Sequence, residues 1–366
     1  MSRRDLSSVL VVDDDPVNIH LLLETLKERY KVIAATNGAR ALAMAQGGQP
    51  PDLILLDVNM PGMSGYEVCR RLKEGEGTRS IPVIFVTALD SRHGEAAGLA
   101  LGAADYITKP FIPALVLARV HNHLELKRHR DHLEEMVRQR TAELQETRDV
   151  IILSLASLAE TRDNETGNHI ARTQHYVRLL AEALSSQPRH AEHLTPQTVD
   201  LLQKSAPLHD IGKVGVPDVI LLKPGQLTHE EFEEMKKHAV YGHDAIQKAA
   251  DRLGPNSFLA LAQEIAHTHH ERWDGNGYPR GLAGEDIPLS GRMMALADVF
   301  DALVSRRVYK PPIPFPQAVE IIAQGRGTFF DPQVADAFAL LKEEFRRVGL
   351  FHADHDEERA ALERTK

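Results

Sequence analysis

The stretch His269 to Pro279 reads HHERWDGNGYP, two adjacent histidines and a glutamate ahead of a glycine-rich loop. Simple core packing has little use for a histidine pair beside charge and glycine, whereas a metal ion does. The same half of the chain holds Glu165 and His169, His209 and Asp210, His238, and Asp298. Glu165 and His169 are four residues apart and share a face on a helix. Neighbours on a helix diverge by about 100°, so His209 with Asp210, and His269 with His270, are placed to address two different ions. A multinuclear site of imidazole and carboxylate follows, and the remaining histidines of this half, such as His175, His190, His193, His229, His243 and His267, are read as ordinary surface or core residues.

A second group of polar residues lies near the N-terminus: Asp13, Asp14, Asp57, Thr87 and Lys109. Each ends or follows a short apolar run, at 9–12, 53–57, 81–87 and 105–108, and a further run lies at 31–35. Continuous apolar runs separated by amphipathic helices predict a doubly wound α/β domain with a five-stranded parallel sheet. In such a sheet, ligands sit beyond the carboxyl ends of the strands, so the five polar residues converge on one rim.

Three further elements are expected. Residues 124–158 lack glycine and proline and carry Leu126, Leu133, Val137, Arg140, Leu144, Thr147, Ile151, Ser154 and Leu158 at spacings of mostly four and three. That seam predicts a helical linker forming a parallel dimeric coiled coil. Residues 159–350 read as all helix and loop, with Thr195 capping a helix that ends near Gly212. Residues 351–366 read as a polar tail that frays.

Residues 6–123 resemble the response-regulator receiver domain through VVDDDP, DVNMPGMSGYEV, VTA and DYITKP. The resemblance implies that Asp57 accepts a phosphoryl group from a sensor histidine kinase. It further implies that Asp13 and Asp14 help hold Mg²⁺, that Thr87 contacts the phosphoryl group and that Lys109 pairs with it. Crowded carboxylates suit a hard, oxygen-loving cation. Residues 147–345 resemble the HD-GYP branch of HD-domain phosphohydrolases through ETGNHIAR, LHDIGKVGVPD, HHERWDGNGYP, ALADVFDAL and SRRVYK.

This second resemblance implies hydrolysis of cyclic di-GMP to pGpG and, in many members of the family, onward to GMP. The implied metal ligands are Glu165, His169, His209, Asp210, His238, His269, His270 and Asp298, with Asp210 bridging. A glutamate at position 165 favours three ions over two. His209, Asp210 and Lys213 are the expected catalytic residues, and Lys213, Arg307, Lys310, Gly277 and Tyr278 the expected substrate contacts. A ligand set without thiolate suits Fe or Mn, and Ni or Zn also bind such groups. The family also implies contact with diguanylate cyclases of the GGDEF type. Two other readings stay open at the level of sequence: hydrolysis of another cyclic dinucleotide such as cyclic GMP-AMP, and a non-catalytic module that binds cyclic dinucleotides or proteins.

Composition narrows the field. A chain of 366 residues with 43% hydrophobic and 26% charged residues has room for several globular units. A formal charge of −9 disfavours a broad DNA-binding surface, so cations must gather locally around any anionic substrate. No apolar run reaches the roughly 18 residues needed to span a bilayer, and the N-terminus lacks the apolar core of a secretory signal. With a single cysteine, Cys69, no internal disulfide forms, and a cytoplasmic protein is expected.

Overall fold

A computed structural model describes residues 6–88, 98–163, 167–253, 258–306 and 311–364; Glu165, Arg307 and Lys310 lie outside the described residues. The chain divides into two compact units, Met1–Ala142 and Glu143–Lys366.

The first unit is built on five parallel strands: β1 (Ser8–Val12), β2 (Lys31–Ala35), β3 (Leu53–Asp57), β4 (Val83–Ala88) and β5 (Asp105–Lys109), in the order β2-β1-β3-β4-β5. All five residues of β3 are buried, as expected of a strand covered on both faces. The fourth strand starts two residues later than its apolar run, at Val83, because Pro82 has no N–H to donate to the ladder. Helices α1 (Pro16–Leu26), α2 (Gly38–Ala45) and α3 (Gly65–Glu74) start at side-chain caps from Asp15, Asn37 and Ser64. Strand order reverses beside β1, which brings the ends of β1 and β3, with Asp13 and Asp57, to the rim where ligands bind.

Helix α4 runs without interruption from Pro113 to Asp163. It is longer than the predicted linker at both ends. Val116, Val120 and Leu124 in its first turns are buried in the core of the first unit, and Ile152 near its end packs with Leu208, Ile246, Leu259, Ala262 and Ala266 of the second. Between them, Leu126, Leu133, Val137, Leu144, Ile151 and Leu158 are each more than half exposed.

The described part of the second unit is helical: α5 (Gly167–Ser185), α6 (Pro196–Ser205), α7 (Asp218–Leu221), α8 (His229–Lys236), α9 (His238–Leu253), α10 (Leu259–Thr268), α11 (Leu289–Val304), α12 (Phe315–Gln324), α13 (Pro332–Phe351) and α14 (Asp356–Glu363). Its core centres on Tyr176, Phe300, Phe338 and Phe345, with the Tyr176 and Phe345 rings stacked at 4.4 Å.

Two expectations are corrected here. Thr195 does cap α6, accepting from Thr198 N, but the α-helix stops at Ser205 and not near Gly212. Pro207 supplies no N–H and its ring crowds the preceding turn, so the chain continues as tight turns over Ala206–Leu208 and Ile211–Gly215. Gly212 serves close approach, since a Cβ there would stand 1.9 Å from the carbonyl oxygen of His238.

The described part of the C-terminal tail does not fray but forms α14. Glu358 accepts hydrogen bonds from the amides of Arg306 (2.8 Å) and Asp354 (2.9 Å), and Ala361 and Leu362 are buried. Charge on one face hid a small amphipathic helix in the sequence. Replacing Leu362, 1% exposed, by alanine is expected to destabilise the second unit by about 2–5 kcal/mol. A melting temperature equal to that of the parent would show that α14 contributes no core.

Candidate metal centre

At the rim of the first unit, Lys109 Nζ donates to Asp57 Oδ1 at 2.7 Å and to Asp13 Oδ2 at 2.9 Å. Asp13 Oδ1 also accepts from Asp15 N (2.9 Å) and Asn18 Nδ2 (3.1 Å), and Asn59 N donates to Asp57 Oδ2 at 3.0 Å. Asp13, Asp14 and Asp57 bring ligand oxygens within 4.8 Å of one another. Burial raises the Asp57 carboxyl pKa, and the Asp13 charge adds to this against the pull of Lys109. Crowding of this kind is what a divalent cation relieves. Thr87 is buried at the end of β4. Gly65 opens α3 against the back of the site: a Cβ there would lie 2.2 Å from the Asp57 carbonyl oxygen.

In the second unit, two ligand clusters form from residues far apart in sequence. Asp210, His238, His269 and His270 make one; His169, His209 and Asp298 make the other. His169 comes from α5, Asp298 from α11, and His209 and Asp210 from between the two tight turns. His238 opens α9, and His269 and His270 follow α10.

The carboxylate of Asp210 faces both clusters. Its Oδ1 lies 3.2 Å from His238 Nε2 and 3.5 Å from His269 Nε2, while its Oδ2 lies 3.3 Å from His209 Nε2. His209 thus belongs to one cluster, and Asp210 is grouped with the other while its second oxygen faces His209. His269 and His270 do not: both serve one cluster, with ring centroids 4.0 Å apart. The helix ends at Thr268, so the 100° step between neighbours no longer governs the second histidine.

The imidazole tautomers follow from helix ends. Nδ1 of His209 faces the carbonyl of Ala206 (3.0 Å), that of His238 faces Met235 (2.7 Å), and that of His269 faces Ile265 (3.0 Å). A carbonyl only accepts, so each Nδ1 carries the proton and each Nε2 presents its lone pair to the cluster. His169 is held by a carboxylate instead, with Nδ1 2.7 Å from Asp301 Oδ2. Nε2 of His209, His238 and His269, and Oδ1 of Asp210, are buried and make no hydrogen bond. Buried polar atoms left in that state, all aimed inward, fit divalent metal ions.

Charge on the groups agrees. Burial, with the adjacent His269 and His238, pushes His270 well below the ordinary histidine pKa, keeping it neutral as a ligand must be. For Asp210 burial opposes ionisation, but Lys213 and His209 outweigh it and hold the carboxyl well below its usual range. Lys213 Nζ lies 2.8 Å from Asp210 Oδ2 and also pairs with Asp163.

The loop after the double histidine folds back onto it. Both oxygens of buried Glu271 accept loop amides, Arg280 N at 2.8 Å and Leu282 N at 3.0 Å. Tyr278 stacks on the His270 ring at 4.7 Å, and Gly277 sits where a Cβ would meet Arg272 N at 2.3 Å. Of the histidines read as ordinary, none joins a ligand cluster among the described residues; His243 and His267 pack together at 4.1 Å, and His190 bonds Gln333.

Sequence reading missed Asp301, Arg172, Glu160 and Asp163. Buried Arg172 grips Asp301 through Nε at 2.7 Å and Nη2 at 3.0 Å, and Glu160 Oε1 lies 4.0 Å from His169 Nε2. A signal existed: Asp301 stands three residues from Asp298, Arg172 three from His169, and Glu160 three from Asp163, so each pair shares a helix face.

Residues 9–121 match the family model of the response regulator receiver domain, and residues 153–334 that of the HD domain. A probable cyclic di-GMP phosphodiesterase of Vibrio cholerae is 49% identical, over 97% of this chain and 83% of its own length. The cyclic di-GMP phosphodiesterase response regulator RpfG of Xanthomonas campestris is 36% identical, over 92% of this chain and 88% of its own. A cyclic di-GMP phosphodiesterase of Thermotoga maritima is 36% identical, over 95% and 94%. The chain belongs to the HD-GYP response regulators.

In this HD-GYP response regulator the HD domain implies divalent metal, and the two clusters supply ligands for it. The carboxylate–histidine contact at His169 gives a test of that fit. Asp301→Asn removes the negative charge that orients His169, and divalent affinity is expected to fall about 10- to 100-fold. Metal retained after dialysis, measured by mass spectrometry, would stay at the parental level if Asp301 did not support the site.

Proposed function

We propose that this response regulator hydrolyses cyclic di-GMP at the paired clusters, under the control of a phosphoryl group on Asp57. The observation that carries the reading is the Asp210 carboxylate, whose two oxygens face the imidazoles of separate clusters at 3.2–3.5 Å. Two divalent ions bound there neutralise charge on a phosphodiester and lower the pKa of water. The imidazole and carboxylate set, without thiolate, favours Fe or Mn, with Ni or Zn as substitutes. Glu165 is proposed as the added ligand of a third ion.

Asp210 would hold ions on both sides, and His169, His209, His238 and His269, whose Nδ1 atoms face acceptors, would turn their Nε2 lone pairs toward them. Lys213 lies beside Asp210 and is proposed to meet a substrate phosphate together with Arg307 and Lys310, which would gather cations locally in a chain of net charge −9. Tyr278 and Gly277 close the loop over His270, at the edge from which the substrate enters. The proposed product is pGpG, GMP or both.

At the receiver rim Mg²⁺ is proposed beside Asp13, Asp14 and Asp57, with a sensor histidine kinase as the source of the phosphoryl group and Lys109 and Thr87 reading its arrival. A GGDEF-type cyclase is proposed as a partner of the glycine-rich loop.

Protein loaded anaerobically with Fe²⁺ or Mn²⁺ is expected to convert cyclic di-GMP to pGpG or GMP. A His209→Ala/Asp210→Ala variant should give none, and beryllofluoride should change the rate unless Asp57 is replaced by alanine. A fully metal-loaded parent that yields no product would overturn the reading.

A homodimer is proposed through α4. The exposed seam from Leu126 to Leu158 repeats at coiled-coil spacing, and apolar side chains on a lone helix face water at a cost that pairing removes. Sedimentation is expected to give a dimer at micromolar concentration; a monomer there would exclude the coiled coil.

A further inference from the structure

The last turn of α4 ends in a cluster of contacts that the ligand set does not explain. Arg162 Nε and Nη2 donate to Asp218 Oδ1 at 3.0 and 2.6 Å. The same guanidinium donates to three backbone carbonyls: Lys213 at 3.3 Å, Val216 at 3.0 Å, and Val214. The next residue, Asp163, pairs with Lys213 Nζ, which in turn lies 2.8 Å from Asp210 Oδ2.

Five hydrogen bonds from one side chain exhaust the donor capacity of arginine. Their acceptors span residues 213–218, the segment that leaves the tight turn carrying Asp210 and Lys213. Within the segment Val216 is buried and Val214 is 55% exposed, so the guanidinium holds the exposed side of the turn as well as its buried end. Three carbonyls turned toward one point need a planar, multivalent cation, and lysine, with a single nitrogen, cannot reach all of them.

We infer that Arg162 is a positioning residue for hydrolysis: its guanidinium fixes the 213–218 segment, and with Asp163 it sets where the Lys213 ammonium stands relative to Asp210. The inference rests on the hydrolytic reading above for its catalytic consequence, but the positioning itself is independent of it. Because Arg162 and Asp163 close a helix that begins at Pro113, a change in the twist or tilt of α4 acts on Lys213 without passing through the ligands.

The test uses the full chain with Arg162→Ala and Arg162→Lys, beside Arg178→Ala as a surface arginine change outside the site. Each is assayed with cyclic di-GMP and with bis(p-nitrophenyl) phosphate, a diester that needs only the metal chemistry. Displacement of a positioned group by about 1 Å costs up to about 100-fold. The expected result is therefore a fall in kcat for cyclic di-GMP of about 10- to 100-fold in both Arg162 variants, with metal content at the parental level and Arg178→Ala unaffected. Added guanidinium at millimolar concentration should restore part of the rate of Arg162→Ala, and an equal concentration of ammonium should not.

Hydrogen exchange gives a readout without turnover: amides of residues 213–218 should exchange faster in Arg162→Ala, in metal-free and metal-loaded protein alike. Unchanged exchange in that segment, or rates within twofold of the parent, would overturn the inference, as would a loss of rate that merely tracks lost metal. If the parent turns over only the nitrophenyl diester, the substrate reading fails while hydrogen exchange in the Arg162 variants still decides the positioning role. If the parent turns over neither diester, the exchange measurement alone decides it.

Discussion

A buried carboxylate ringed by imidazoles is the constraint around which the second unit is arranged. Asp210 sits with its two oxygens toward three buried histidines, in a place where an isolated negative charge costs several kcal/mol. Ionisation survives because Lys213 and His209 compensate the burial. The compensation is local and incomplete: Oδ1 accepts no hydrogen bond, and the Nε2 atoms facing it donate none. A divalent ion resolves both shortages at once, since it satisfies the lone pairs of the imidazoles and the charge of the carboxylate with a single partner.

Holding that arrangement falls to helix ends. Three of the histidines stand at or just beyond the termini of short helical segments. Carbonyls of those segments, which also accept backbone amides, accept from Nδ1 as well and so decide which nitrogen faces the cluster. For His169, on α5, the role passes to Asp301, itself ionised against burial by the Arg172 guanidinium. Gly212 completes the economy of space. The turn carrying Asp210 packs directly on the start of α9, and any side chain at position 212 would push His238 out of line.

Much of this was legible in the sequence, for separable reasons. The five strands could be read because parallel strands are buried on both faces and leave unbroken apolar runs; the start of β4 was displaced by two residues, at Pro82, and the other ends by at most one. The ligands could be read because histidine beside acid, repeated within one half of the chain, is a costly pattern for a core to keep without a metal. Their partition between clusters was less legible, since it depends on where helices stop: the shared cluster of His269 and His270 follows from α10 ending at Thr268. The supporting residues Asp301, Arg172 and Arg162 were missed because an arginine or aspartate in a polar helix looks the same in sequence whether it faces solvent or a buried partner. The tail was misread for a related reason. Two apolar residues, Ala361 and Leu362, with Glu358, suffice to seat a helix whose other positions, Ala360 apart, are charged.

The position of Lys213 also bears on how an acidic chain receives an anionic substrate. Among the described residues its ammonium pairs with the carboxylates of Asp210 and Asp163, so it neutralises the site rather than advertising positive charge to solvent. Metal binding would change that balance. Divalent cations held at Asp210 would take up its charge, and the pull it exerts on the ammonium would weaken. Asp163, on the last turn of α4, would keep its hold. A phosphate drawn to that place would then meet less competition from Asp210 for the ammonium, so the attraction that the net charge of the protein withholds would arise only where metal is already bound.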